Sequence, residues 1–166
     1  MKHNTEQIIL AIDPGYDRCG VAIIQTGVAN TVVHSWCIQT SKKDSRADRL
    51  ATVFRSVEDA IKEYKPVAIA LETLFFSVNK KSALAVAEAR GVISVLAGLH
   101  HVPLIELSPQ EVKLAMTGTG NANKAAVQKM VALTLKIDIA DKIDDEIDAI
   151  ALGMAAAGTL RLNSFL

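Results

Sequence analysis

The chain has 166 residues, half of them hydrophobic and only 4% aromatic, and its 18 basic and 18 acidic side chains cancel to a net charge of zero. That length suits one core built from Ala, Val, Ile and Leu and leaves little room for two, so a single domain over 1–166 is expected. The composition excludes a disordered chain and a uniformly basic nucleic-acid coat, and apolar stretches such as 149–160 are shorter than the ~20 residues that span a bilayer.

Residues 8–12 form a short apolar run ended by Asp13, Pro14 and Gly15, the pattern of a buried strand that stops at a turn. Strands are expected again at 20–25 and at 31–38, where β-branched residues are frequent, and the short connections favour an antiparallel meander of the three. Between 48 and 64, Leu50, Val53, Phe54, Val57 and Ile61 recur at helical spacing until Pro66 intervenes. The run 67–71, ending in Glu72, suits a central strand covered on both faces. An Ala-rich helix is expected over 82–99 and a strand over 104–107. Ser108, Pro109 and Glu111 then supply an N-cap, a first-turn proline and a capping-box glutamate for a helix through Met116. Gly118 and Gly120 mark a loop, and helices over 123–135 and 143–157 follow. The order predicts an α/β chain, a mixed sheet of about five strands with helices on both faces.

The N-terminus lacks the basic-then-apolar order of a signal peptide, so a cytoplasmic location and reduced Cys19 and Cys37 are expected. The zero net charge conceals two opposed blocks. Residues 77–136 carry seven basic groups (Lys80, Lys81, Arg90, Lys113, Lys124, Lys129, Lys136) against three acids, whereas 137–150 carry six acids against Lys142 alone.

Asp13 and Glu72 each follow an apolar run that reads as a central strand. If those strands lie side by side and parallel, both carboxylates emerge at the sheet edge where open α/β sheets bind ligands. Asp145 and Asp148 are three apart on a helix and project from one side of it. The buried stripe Ile147, Ile150, Ala151 and Met154 puts Asp148 at its margin and Asp145 further toward solvent. Asp138, Asp141, Asp144 and Glu146 read as a solvated acidic segment. Four converging acids repel one another unless a hard cation neutralises them, and such a site suits phosphodiester hydrolysis with Mg²⁺. Singly, an Asp before Pro-Gly is commonly a turn residue and an acid in a first helical turn commonly favours the dipole; the joint placement is what points to chemistry.

The strings IDPG at 12–15, ALE at 70–72, SAL at 82–84, ARG at 89–91 and DDEIDAIA at 144–151 resemble, in order, the RuvC family of Holliday-junction resolvases. The resemblance runs over about 8–157 and implies an RNase H-like fold. It implies that Asp13, Glu72, Asp145 and Asp148 are catalytic and hold two Mg²⁺, with Mn²⁺ as a substitute. It also implies a substrate-contacting loop from Glu72 through Phe75 and Asn79 to Ser82, including Lys80 and Lys81, with Phe75 placed to stack on a base. Arg90, Lys113 and Lys124 join the expected DNA-binding set. Four-way junction DNA, a homodimer built on the 82–99 helix and branch-migration motor proteins are the implied partners. The chain departs from the family's usual strings at Gly20, Val21 and Ala22, and at Thr73, where Gln is common.

Three other readings share parts of this pattern. A junction-binding scaffold of the same fold would not need all four acids. A phosphotransferase of the actin and sugar-kinase type would need two domains around a nucleotide. An RNase H-like nuclease acting on RNA or hybrids would share the metal chemistry.

Overall fold

The computed structural model describes residues 6–73 and 80–163, with side chains over 6–73 and 83–160. Three strands, β1 (Gln7–Asp13), β2 (Arg18–Thr26) and β3 (Thr31–Gln39), form the expected antiparallel meander. After helix α1 (Arg46–Tyr64), strand β4 (Ala68–Glu72) lies parallel to β1; after helix α2 (Lys80–Leu99), strand β5 (Leu104–Leu107) lies parallel to β4. The sheet order is therefore β3-β2-β1-β4-β5. Helices α3 (Pro109–Thr117), α4 (Lys124–Leu135) and α5 (Asp144–Asn163) complete the chain.

Alternation along the strands separates two apolar layers. Leu10, Ile12, Val21, Ile23, Ile69 and Leu71 pack against α1 and α2, while Ile9, Ala11, Ala22, Ile24 and Ala70 pack against α3, α4 and α5. The centres of β1, β2 and β4 are wholly buried, whereas β3 and β5, at the two edges, are only partly covered.

Local chemistry sets the boundaries. The helix expected from residue 48 begins two residues earlier because Ser45 Oγ accepts from the Asp48 N–H and donates back to its carboxylate at 2.6 Å. The Ser108–Glu111 capping box forms as expected, and Asn123 caps α4. Helix α5 outlasts its expected end at 157, since Gly158 and Thr159 do not interrupt it.

Helix α5 approaches β1 and β2 unusually closely because the facing residues are small. A Cβ at Gly153 would stand 2.5 Å from Ile24 Cγ1 and 2.9 Å from Ala11 Cβ, and one at Gly20 would stand 1.9 Å from the Asp145 carbonyl oxygen. Around Gly158, on the same helix, a Cβ meets nothing within 4 Å. Gly153→Ala is expected to destabilise the fold by about 1–3 kcal/mol through overpacking, and Gly158→Ala to stabilise it by about 0.5–1 kcal/mol through helix propensity. Urea denaturation of both variants checks the contrast, and equal effects would refute the close approach.

Candidate active site

The site grows out of the register of β1 and β4. Ile12 lies beside Leu71 in the parallel pairing, so Asp13 and Glu72 come next, on strands about 4.8 Å apart. They alternate with Ile12 and Leu71 and so fall on the face of Ala11 and Ala70, the face that α5 covers. Helix α5 begins over that edge and supplies Asp145 and Asp148 from its first two turns. The antiparallel pairing of Asp13 with Gly20 puts the opening of β2 beside the same point.

Two sets of bonds fix the start of α5. Lys142 Nζ donates to Ser35 Oγ at 2.8 Å, and Ser35 Oγ donates to Glu146 Oε2 at 3.1 Å, which ties the helix to β3. Gln128 Nε2 donates to Asp144 Oδ1 at 3.0 Å, which ties it to α4. Glu146, expected in a solvated segment, is thus only 14% exposed. The expected order of Asp145 and Asp148 is also reversed: Asp145 is 21% exposed and Asp148 34%. The missing side chain at Gly20 lets the Asp145 backbone settle onto β2, which brings this residue closer to the sheet.

Burial, followed by Glu72, Asp148 and Asp145, pushes the Asp13 pKa up to about 7. Burial and then Asp148 raise that of Glu72. Asp148 is raised as well, by burial first, although Lys124 opposes it. The acids therefore feel one another across the sheet edge and the helix start.

Two cations answer them. Lys124 Nζ stands 2.8 Å from Asp148 Oδ2 and 3.4 Å from Asp144 Oδ2. Arg18 Nε stands 3.1 Å from Asp145 Oδ2, a buried oxygen without a hydrogen-bonded partner among the described residues. Lys113 and Lys124 line a cleft of about 280 Å³ together with Glu72 and Asp148. Arg90 is turned inward: its guanidinium donates to the Glu72 carbonyl and to the Glu106 carboxylate, so it holds the strand end that bears Glu72. Lys80 and Lys81 open α2, with their side chains outside the described residues, and Phe75 and Asn79 lie outside them altogether.

Arg18 and Arg49 were missed in the sequence. Arg49, 8% exposed, donates to Asp17, to the Tyr16 carbonyl at 3.1 Å and to Thr40 Oγ1 at 2.9 Å, with its guanidinium 3.8 Å over the Tyr16 ring. It clamps the turn that follows Asp13. Its position at helical spacing was visible, but a lone arginine on an amphipathic helix gives no signal that it is buried.

Among the described residues, no three carboxylate, imidazole or thiol groups stand close enough in this side-chain arrangement to grip a metal ion together. Lys124 and Arg18 occupy Asp148 and Asp145 instead. The donor set nonetheless suits a hard divalent cation: every candidate ligand is a carboxylate, burial and then three neighbouring acids raise the Asp13 pKa, and Asp145 Oδ2 is buried without a hydrogen-bonded partner among the described residues.

A family model described as crossover junction endodeoxyribonuclease RuvC matches residues 9–156. A protein of that name from Brachyspira hyodysenteriae is 43% identical over 156 residues, covering 93% of this chain and 96% of the relative. Another from Pseudothermotoga lettingae is 37% identical over 146 residues, covering 87% and 90%. The solved structure of T. thermophilus RuvC in complex with Holliday junction substrate superposes with a TM-score of 0.89 at 27% identity, covering 95% of this chain and 97% of that one. The fold is accordingly the RNase H-like one, and the chain belongs to the RuvC family of crossover junction endodeoxyribonucleases.

Proposed function

We propose that this chain cuts four-way DNA junctions by phosphodiester hydrolysis, with Asp13, Glu72, Asp145 and Asp148 as the metal-holding acids. The observation that carries the reading is the meeting of Asp13 and Glu72, neighbours on parallel strands, with two aspartates of α5 on one face of the sheet. The relative solved with a Holliday junction shares this fold over nearly its whole length.

The acids would hold Mg²⁺, with Mn²⁺ as a substitute; when bound, such ions activate water and neutralise charge on the transferring phosphoryl group. The rest is done by the chain. Asp13 and Glu72 stand on strands and cannot drift, so the reacting phosphate meets a fixed edge. Lys124, which bridges Asp144 and Asp148, is free to exchange those carboxylates for a phosphate oxygen as cations arrive. Lys113, on the same cleft, supports the neighbouring backbone phosphate. Arg90 fixes the Glu72 carbonyl rather than the DNA. The DNA-contacting roles of Phe75, Asn79, Lys80 and Lys81 rest on the family resemblance of their sequence positions.

A junction has two strands to cut, and a two-fold dimer provides two sites. Leu84, Val95 and Leu99 are 59%, 57% and 64% exposed along one stripe of α2, with Gly91 between them, and such a stripe suits an isologous contact.

Asp145→Asn and Asp148→Asn are each expected to lower nicking of a synthetic four-way junction about 1,000-fold in Mg²⁺, the factor given by about 4 kcal/mol of lost charge stabilisation. Gel-shift affinity in Ca²⁺ should persist, and full cleavage by both variants refutes the assignment. Saturating Mg²⁺ should raise the wild-type Tm by about 5–10 °C, from about 2.7 kcal/mol at a hundredfold excess over Kd. Asp13→Asn should raise the metal-free Tm by removing repulsion and shrink the Mg²⁺ response; a response unchanged by that substitution excludes Asp13 as a ligand. Val95→Glu is expected to yield monomers in sedimentation, with single nicks replacing paired ones; a retained dimer removes α2 from the interface.

A further inference from the structure

Among the described residues, strand β3 is an edge of the sheet and pairs with β2 on one side only. Exposed edges normally carry a device against pairing with another chain, such as a lysine, a proline or an inward-pointing charge. β3 reads TVVHSWCIQ, without a charged residue or a proline. One irregularity falls opposite Ile23 and Ile24, and from His34 to Gln39 the strand runs in regular register with β2. Among the described residues, no other strand or loop takes the backbone groups on its outer side.

Beside this stretch lies an open groove of about 370 Å³, walled by His34, Trp36 and Tyr64 and rimmed by Asp59 and Glu63. The walls are held in place. The His34 and Trp36 rings stack with centroids 5.1 Å apart, and the Trp36 indole N–H donates to Ser56 Oγ at 3.2 Å. Glu63 and Asp59 are both exposed, and Asp59 makes no ion pair among the described residues. Aromatic faces beside carboxylates attract a cation through both ring quadrupole and charge, and the same carboxylates repel phosphate.

We propose that β3 and this groove form a docking surface for an extended segment of a partner protein, which adds to the sheet at β3 and lodges a lysine or arginine against Trp36, Tyr64, Asp59 and Glu63. The occupant is a cationic protein segment rather than a second copy of this chain, because a β3 edge without Lys or Arg offers its twin no cation. It is not the DNA, which the acidic rim opposes. The groove opens on the α1 side of the sheet, whereas the catalytic acids face α5, so docking and cleavage proceed together.

A random dodecapeptide display library panned over the immobilised full chain tests this surface. Enriched sequences should carry Lys or Arg among β-branched or aromatic residues. A synthetic peptide of the enriched sequence should bind the wild type at least tenfold more tightly than the Asp59→Lys, Glu63→Lys double variant, and should slow amide exchange within 34–38. Junction cleavage should be unchanged in that variant, which also reports that it folds; Asp59→Asn, Glu63→Gln serves if it does not. The proposal is overturned by a library that enriches nothing, a consensus without a cation, equal binding to the double variant, or protection elsewhere than β3. Altered junction affinity in the double variant would assign the face to DNA and overturn it equally.

Discussion

The burial of carboxylates that also repel one another is the constraint around which the site is arranged. Asp13, Glu72 and Asp148 all hold their protons more tightly than isolated acids do, and for each of them burial contributes first. Groups under such strain move apart or draw in a counter-charge when the backbone allows either. Here the backbone allows little: two acids end buried strands in fixed register, and two stand on a helix whose start is bonded to β3 and α4. Lys124 and Arg18 supply the counter-charge, and because both are about half exposed they are exchangeable in a way that a buried pair is not.

Holding α5 so close to the sheet requires small residues at the crossing. Ala11, Ala22, Ala70 and Gly153 make room on the inner face, and Gly20 makes room at the helix start. The opposite face uses large side chains, with Leu10, Ile12, Ile23, Ile69 and Leu71 facing α1 and α2. The sheet is thus thin on the side that bears chemistry and thick on the side that bears stability. A tightly packed interior transmits displacement, so a small outward shift of α5 would separate Asp145 and Asp148 from Asp13 and Glu72 together.

Much of this was legible in the sequence for physical reasons that apply locally. Strand and helix periods, the Ser108–Glu111 box and the proline stops act within a few residues, and the elements appear where those signals put them. Two apolar runs each ending in an acid brought Asp13 and Glu72 together only on the condition of parallel neighbouring strands, and the β1–β4 pairing meets that condition. Exposure along α5 was misjudged, because a helical stripe ranks residues by angle alone and cannot register a strand arriving at one point. Gly20 decides that Asp145 lies deeper than Asp148, and its partner is 125 positions away. Arg49, Arg18 and the Ser35–Lys142–Glu146 tie were illegible for the same reason: each joins segments whose proximity exists only after folding.

The neutral total charge acquires a physical meaning from this arrangement. Of the acidic block from 137 to 150, Asp138 and Asp141 stay exposed, while the other four acids meet neighbouring cations. Asp144 and Asp148 are paired with Lys124, Asp145 with Arg18, and Glu146 with Lys142. Those pairings also keep the cations from phosphate. On the proposed reading, divalent ions held by the acids would free Lys124 and Arg18, so that an edge which repels a phosphate backbone without metal would attract it with metal. Binding coupled in this way would be reciprocal: a junction seated on the site would tighten the hold of the acids on their cations. By that route a chain with no net charge would engage a polyanion in the state proposed to cut it, and hold it less firmly in the state that does not.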